Sequence, residues 1–224
     1  MADKPYLLIE GNPKNLPPPN SIRFTGEYEG RKGVTVDDYG FCDEAKFFLT
    51  LHEAIIKTIV RHYEKTTTLE AGLRYVRRLA KTAHRKNHRV IFIGNGGSSA
   101  IASHMAVDWT KNGGIRAIAF NDAPTLTCLA NDFGYDNVFS KQLEYYARTG
   151  DLVVIISSSG KSLNIMRAAE QAFEQGLDLV TFSGMRPSNA LRRKGSLSFF
   201  VPASDYGIVE LSHLALLHSI VSVS

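Results

Sequence analysis

The sequence predicts an α/β protein built on a parallel sheet, and two observations carry that prediction. From Arg89 onward, short runs rich in Val, Ile, Leu and Phe alternate with stretches of helical pattern, as expected for parallel strands covered on both faces. Two of those runs end in serine-rich turns, Gly94-Asn95-Gly96-Gly97-Ser98-Ser99 and Ser157-Ser158-Ser159-Gly160-Lys161-Ser162, and each turn opens a helix-like run. In open parallel sheets, ligands bind beyond the carboxyl ends of the strands, where both turns fall. Unpaired amides and the positive end of a helix dipole make each turn a cradle for an anion such as phosphate.

Taken in order, residues 1–44 stand apart. Asn12-Pro13, Pro17-Pro18-Pro19 and several glycines punctuate them, and only Tyr6-Leu7-Leu8-Ile9 and the segment around Ile22-Arg23-Phe24 read as short strands. Either an extended arm or hairpin, or a disordered segment, fits that composition. From Glu44 the pattern turns helical: Phe47, Phe48, Leu51, Ile55, Ile56, Ile59 and Val60 recur at i, i+3, i+4 spacing. Thr66-Thr67-Thr68 breaks this helix, and Thr68 is placed to cap a second one carrying Leu69, Leu73, Val76, Leu79 and Ala80 on one side. The expectation is a helical hairpin ahead of the sheet, so that residues 45–224 form one domain behind the 1–44 extension. Strands are then read at Val90–Ile93, Ile115–Phe120, Leu152–Ile156, Leu179–Phe182 and Leu197–Val201. Helices are read at 99–111, 124–131, 137–147, 163–175 and 187–193, with a last one beginning near Ile208.

Composition narrows the function. At 224 residues and 44% hydrophobic, the chain is long enough for one α/β domain with a real core. Its net charge of +4 is dispersed. The one dense basic stretch, from Arg77-Arg78 through Lys81, Arg85, Lys86 and Arg89, lies at a predicted helix end, where cations complement the dipole. No arginine–aromatic pattern accompanies it, which argues against nucleic acid as a partner. Cys42 and Cys128 are the only cysteines and form no CxxC pair, so neither a thiolate zinc site nor a disulfide framework organises the chain. The N-terminus has no signal-peptide pattern and no apolar run approaches a membrane span, so the expected setting is cytoplasmic, away from the membrane.

The first turn lacks the GKS ending of a nucleoside-triphosphate loop and the spacing of a dinucleotide fingerprint, so no nucleotide cofactor is expected. A ligand-free tight turn is its plainer reading. The second turn offers Ser157, Ser158, Ser159 and Ser162 as donors to phosphate oxygens, with Lys161 beside them. Further on, His104 and Asp108 stand at i, i+4 and point the same way from their helix. On the last helix, His213 and His218 fall about 140° apart and Glu210 and His218 about 80° apart. His213 therefore reads as a structural histidine, while Glu210 and His218 border one cleft. His104, Asp108, Glu210 and His218 form a set suited to proton transfer, metal binding or both.

The segments IGNGGSSAIASHMAVDW, FNDAPTLTCLANDFGYDNVFSKQL and GDLVVIISSSGKSLNIMRAA, with the closing Glu210-Leu211-x-His213-x4-His218, resemble the sugar-isomerase (SIS) domain proteins. Within them they resemble the phosphoheptose isomerases, which interconvert sedoheptulose 7-phosphate and a glycero-manno-heptose 7-phosphate. The resemblance covers roughly four-fifths of the chain, from about Ala45, a stretch longer than the roughly 100–150 residues of a typical domain. It implies a flavodoxin-like five-stranded sheet with helices on both faces, and a homotetramer with active sites between subunits. It implies substrate contacts at Asn95, Gly96, Gly97, Ser98, Asp132, Ser157, Ser158, Ser159, Ser162 and Glu210. Asp108 falls on the family's base and His218 on its catalytic histidine. His104, Asp108, Glu210 and His218 match positions that hold Zn²⁺ in some members.

Three departures from the family pattern stand out. Asp108 replaces a glutamate, retracting the carboxylate by about 1.3–1.5 Å, one carbon–carbon bond. Glu210 stands where a glutamine is usual, and Asn112, beside Lys111, where the family has an arginine. Two rivals to a heptose isomerase follow from the resemblance. One is a non-catalytic SIS protein that senses a phosphosugar or regulates a protein partner. The other is an enzyme for a different phosphosugar. His218 favours an enzyme, because the regulators lose that histidine.

Overall fold

Val90–Gly94 and Leu152–Ser157 are apolar runs with no exposed residue, and they form two adjacent interior strands of the sheet. The computed structural model describes residues 43–63 and 65–222. Apart from the start of the first helix, the expected arm or hairpin of residues 1–44 lies outside the described residues. The chain divides into two units, Met1–Phe47 and Phe48–Ser224. In chain order the elements are α1 (Asp43–Ile56), β1 (Ile59–His62), β2 (Lys65–Thr67), α2 (Leu69–Arg85), β3 (Val90–Gly94), α3 (Gly97–Lys111) and β4 (Ala117–Ala119). There follow α4 (Ala123–Phe133), α5 (Val138–Tyr146), β5 (Leu152–Ser157), α6 (Leu163–Glu174), β6 (Asp178–Ser183), β7 (Leu197–Phe200) and α7 (Tyr206–Ser222).

The sheet order is β2-β1-β7-β6-β5-β3-β4, and the five strands from β4 to β7 are all parallel. That parallel part is the doubly wound order of flavodoxin-like folds, with the direction of winding switching between β3 and β5. Alternation along the strands divides the core into two layers. Ile91, Ile93, Val153, Ile155 and Leu179 pack with Val138, Phe139, Leu143, Ile165 and Ala168, from α5 and α6. On the opposite face Phe92 meets Trp109 of α3 edge-on, with ring centroids 5.1 Å apart, and Phe182 stacks on Phe199 at 4.6 Å. Each large side chain so buried contributes about 1.5–3 kcal/mol. Thr68 caps α2 as expected, accepting from the Ala71 amide at 3.2 Å.

Two expectations are corrected. The helical hairpin is absent from the described residues: α1 ends at Ile56, and β1 and β2 form an antiparallel hairpin that pairs with β7 before α2 begins. Ile59 and Val60 fit the helical period of the preceding residues, but they are β-branched, and pairing along the edge of β7 buries Val60 while leaving Ile59 exposed. Val60 pairs with Phe199 and is fully buried against Gly72, where any side chain would collide with it. The sheet therefore has seven strands among the described residues, five parallel and two antiparallel. The expected helix at 187–193 is a single 3₁₀ turn, Leu191–Arg193. Asn189 holds this loop instead, donating to Gly184 O and Arg186 O and accepting from the Arg192 amide.

Candidate active site

β3 delivers the chain into the first serine turn, and Gly96, at φ +54°, swings it into α3. At the next residue, Gly97, the carboxylate of Glu210 occupies the place a Cβ would take. Ser98 follows, buried in the first turn of α3. The second turn is built by β5 and α6. Ser157 Oγ accepts from the Gly160 amide at 3.2 Å, and the Ser158 carbonyl accepts from the Gly184 amide at 3.0 Å. Ser158 Oγ is buried with no hydrogen-bond partner among the described residues. Ser162 is the N-cap of α6, yet its hydroxyl makes no capping bond. Ser159 is half-buried and Lys161 exposed. This turn thus presents hydroxyls its own fold leaves unused, at a helix N-terminus that favours an anion. Because β3 and β5 are neighbours, the two turns lie on either side of the switch point.

A pair of amides ties the turns together. Asn95 Nδ2 donates to Asn164 Oδ1 at 2.9 Å, and Asn164 Nδ2 donates back to Asn95 Oδ1 at 3.0 Å. Tyr135 Oη adds a second donor to Asn95 Oδ1 at 3.1 Å. Asn121, just beyond β4, donates to the Ser99 carbonyl and to Ser103 Oγ, each at 2.8 Å, bracing α3 from the other side.

The titratable residues meet where α3 packs on α7. His218 Nδ1 lies 3.2 Å from Asp108 Oδ2. His218 Nε2 lies 3.1 Å from His104 Nε2. With His218 donating Nδ1–H to the carboxylate, its Nε2 accepts from His104, so one tautomer satisfies the whole chain. Asn112 Nδ2 donates to the other oxygen, Asp108 Oδ1. Arg77, on α2, donates to the carbonyls of Ser219 and Ile220 at 3.0 and 2.7 Å, fixing the end of α7 that carries His218.

Other expected residues lie elsewhere. Glu210 sits at the start of α3 against Gly97. Among the described residues no three His, Cys, Asp or Glu side chains are grouped to hold a metal ion. Both ring nitrogens of His218 are engaged by Asp108 and His104, while the Glu210 carboxylate lies against Gly97, so the four expected ligands do not stand as one group. Asp132, exposed on α4, accepts from Asn131 Nδ2 at 2.9 Å and from the Cys128 thiol at 3.7 Å. No described hydrogen bond joins it to either serine turn. His213 is fully buried and donates Nε2–H to the Ser183 carbonyl at 3.2 Å. Burial pushes it down to about 4, the Ser183 bond opposing only in part.

A sequence profile of the SIS domain matches residues 55–184, a span that includes both serine turns. The chain belongs to the SIS-domain family. Among its SIS relatives, the phosphoheptose isomerase of Campylobacter concisus is 34% identical over 174 residues, 75% of this chain and 89% of that protein. That of Mycobacterium bovis is 35% identical over 181 residues, 76% of this chain and 91% of its own. The solved phosphoheptose isomerase of Neisseria gonorrhoeae superposes with a TM-score of 0.68 at 27% identity, covering 80% of this chain and 94% of the other.

Sequence reading missed three residues of this SIS site as hydrogen-bonding partners. Asn164 and Tyr135 join Asn95, and Asn112 was noted only as a replaced arginine. The signal for Asn164 was present: it is a polar residue on the buried stripe of α6, beside Ile165, Ala168 and Ala169. No helix among the described residues is long and apolar enough to cross a membrane.

Proposed function

We propose that this protein is an aldose–ketose isomerase of sugar phosphates that interconverts sedoheptulose 7-phosphate and D-glycero-D-manno-heptose 7-phosphate. The observation that carries the reading is the 3.2 Å contact of His218 Nδ1 with Asp108 Oδ2. It is supported by the unused hydroxyls of Ser158 and Ser162 at a helix N-terminus and by relatives named as phosphoheptose isomerases.

The phosphate is held by Ser157, Ser158, Ser159 and Ser162, while Gly96, Gly97 and Ser98 face the sugar. Isomerisation removes a proton from C1 of the ketose, passes through an enediol and returns a proton at C2, with a further proton moving between the two oxygens. Asp108 and His218 move these protons: the carboxylate at carbon, the imidazole at the oxygens. His218 is suited to its part because the Asp108 bond fixes its tautomer and makes Nε2 the basic nitrogen, which exchanges a proton once its bond with His104 gives way. Beyond the His218 and Asn112 bonds each Asp108 oxygen keeps a second lone pair for the carbon-bound proton. No step is assigned to a metal.

We assign the active form to a homo-oligomer, a tetramer by resemblance. α7 carries apolar residues around its whole circumference, and Leu211 on it and Val107 on α3 remain exposed in the single chain. A helix apolar on all sides calls for burial on all sides.

The test is to incubate the protein with sedoheptulose 7-phosphate and follow new anomeric signals by NMR. Appearance of the aldose heptose phosphate supports the reading. No conversion of this ketose, with tight binding of phosphosugars retained, favours the non-catalytic regulator instead.

A further inference from the structure

We infer that Asn164 is a positioning residue, which locks the two serine turns at a fixed separation through its reciprocal amide pair with Asn95. The inference rests on the isomerase reading for its kinetic consequence, but its structural half stands without it.

Asn164 lies 69 residues from Asn95 in sequence and is nearly fully buried, on the first turn of α6 directly behind the Ser162 cap. Asn95 lies in the first turn, ahead of the Gly96 swing. A buried amide is costly unless paired, and here each amide supplies both a donor and an acceptor to the other. The pair therefore has one geometry, and it spans the switch point from the start of α6 to the start of α3. Tyr135, in the turn after α4, closes on the same Asn95 oxygen. With its oxygen taken twice, Asn95 offers the sugar at most one N–H, so its main part is structural.

A sugar phosphate anchored by the second turn and reacting beside α3 depends on the distance between those two helix starts. Removing the clasp leaves the phosphate cradle in place but lets the reacting carbons drift from Asp108 and His218. A misplacement of about 1 Å costs on the order of 100-fold in rate. Phosphate affinity, read separately, stays put.

The experiment compares Asn164→Ala, Asn95→Ala and the double variant with the unaltered protein. In each single variant kcat is expected to fall about 10- to 100-fold, while KM and the Kd for inorganic phosphate change less than about 3-fold, within the usual context dependence of such terms. The double variant is expected to match the single ones, since either change opens the whole clasp. Loss of phosphate affinity in Asn164→Ala with kcat retained, or additive losses in the double variant, would overturn the proposal. Hydrogen exchange supplies the readout that needs no turnover: Asn164→Ala should lower protection of the Ser99 and Ala100 amides, which donate to the Asn95 and Gly96 carbonyls in the other turn. Unchanged protection there also overturns it. If the unaltered protein isomerises no sugar, the functional reading fails while the exchange result still decides the clasp.

Discussion

His218 and Asp108 come from different helices, and their 3.2 Å contact joins the end of α7 to the end of α3. The carboxylate receives His218 on one oxygen and Asn112 on the other, while the free edge of the imidazole meets His104. A side chain bonded at both ends holds one orientation, which proton transfer requires. His218→Gln keeps a hydrogen-bonding amide but cannot exchange a proton near neutrality. Its kcat is expected to fall about 100- to 10,000-fold, the usual worth of a positioned acid–base group. Ketose-to-aldose conversion measures it, and undiminished turnover would remove His218 from the mechanism.

Gly97→Ala drives a methyl into the Glu210 carboxylate. Overpacking costs about 1–3 kcal/mol, and because the atoms met end a flexible, half-buried side chain the expected loss is at the low end, about 1 kcal/mol, read as a lower midpoint in urea. Shortening the partner makes room, so the Gly97→Ala, Glu210→Ala pair should recover most of the loss. A Gly97→Ala variant as stable as the original would mean that the Glu210 carboxylate swings aside at no cost.

Arg77→Ala removes two charge-assisted bonds from the last carbonyls of α7. Bonds of this class contribute about 1.5–3 kcal/mol, and the cation also complements the helix dipole. The expected outcome is a loss of about 2 kcal/mol and faster hydrogen exchange at the end of α7. Arg77→Lys should recover only part, because an ammonium cannot bridge both carbonyls as the guanidinium fork does.

His213 makes stability depend on pH. Its folded value, lowered from 6.5 to about 4 by burial, means that between those values the unfolded chain takes up a proton that the folded chain refuses. Stability is unaffected by this group above 6.5, falls as pH drops from 6.5 to about 4, and levels off below. The full contribution is roughly 3 kcal/mol by linkage. Urea midpoints across that window should slope for the original protein and flatten for His213→Phe.

Much of this was legible in the sequence, and the reasons differ by element. The parallel strands announced themselves because β3 and β5 are buried on both faces, and an unbroken apolar run so short suits a strand covered from both sides. The serine turns were legible because glycine and hydroxyl residues at a strand–helix junction serve few purposes. The hairpin β1–β2 was hidden because Ile55, Ile56, Ile59 and Val60 satisfy a helical period, and only the edge of β7, encoded far along the chain, decides otherwise. Pairing of His218 with Asp108 was inferable only by resemblance, since spacing within one helix carries nothing about another. The Asn95–Asn164 bond belongs to the same class: neither local propensity nor periodicity links amides so distant in the chain.

The two outermost strands, β2 and β4, are each three residues long, and β2 carries exposed Lys65. So short a fringe leaves few open amides for a foreign strand to zip onto, and a lysine there must be desolvated before one can dock. The seven-strand platform is thereby guarded against open-ended growth into fibrils at both margins.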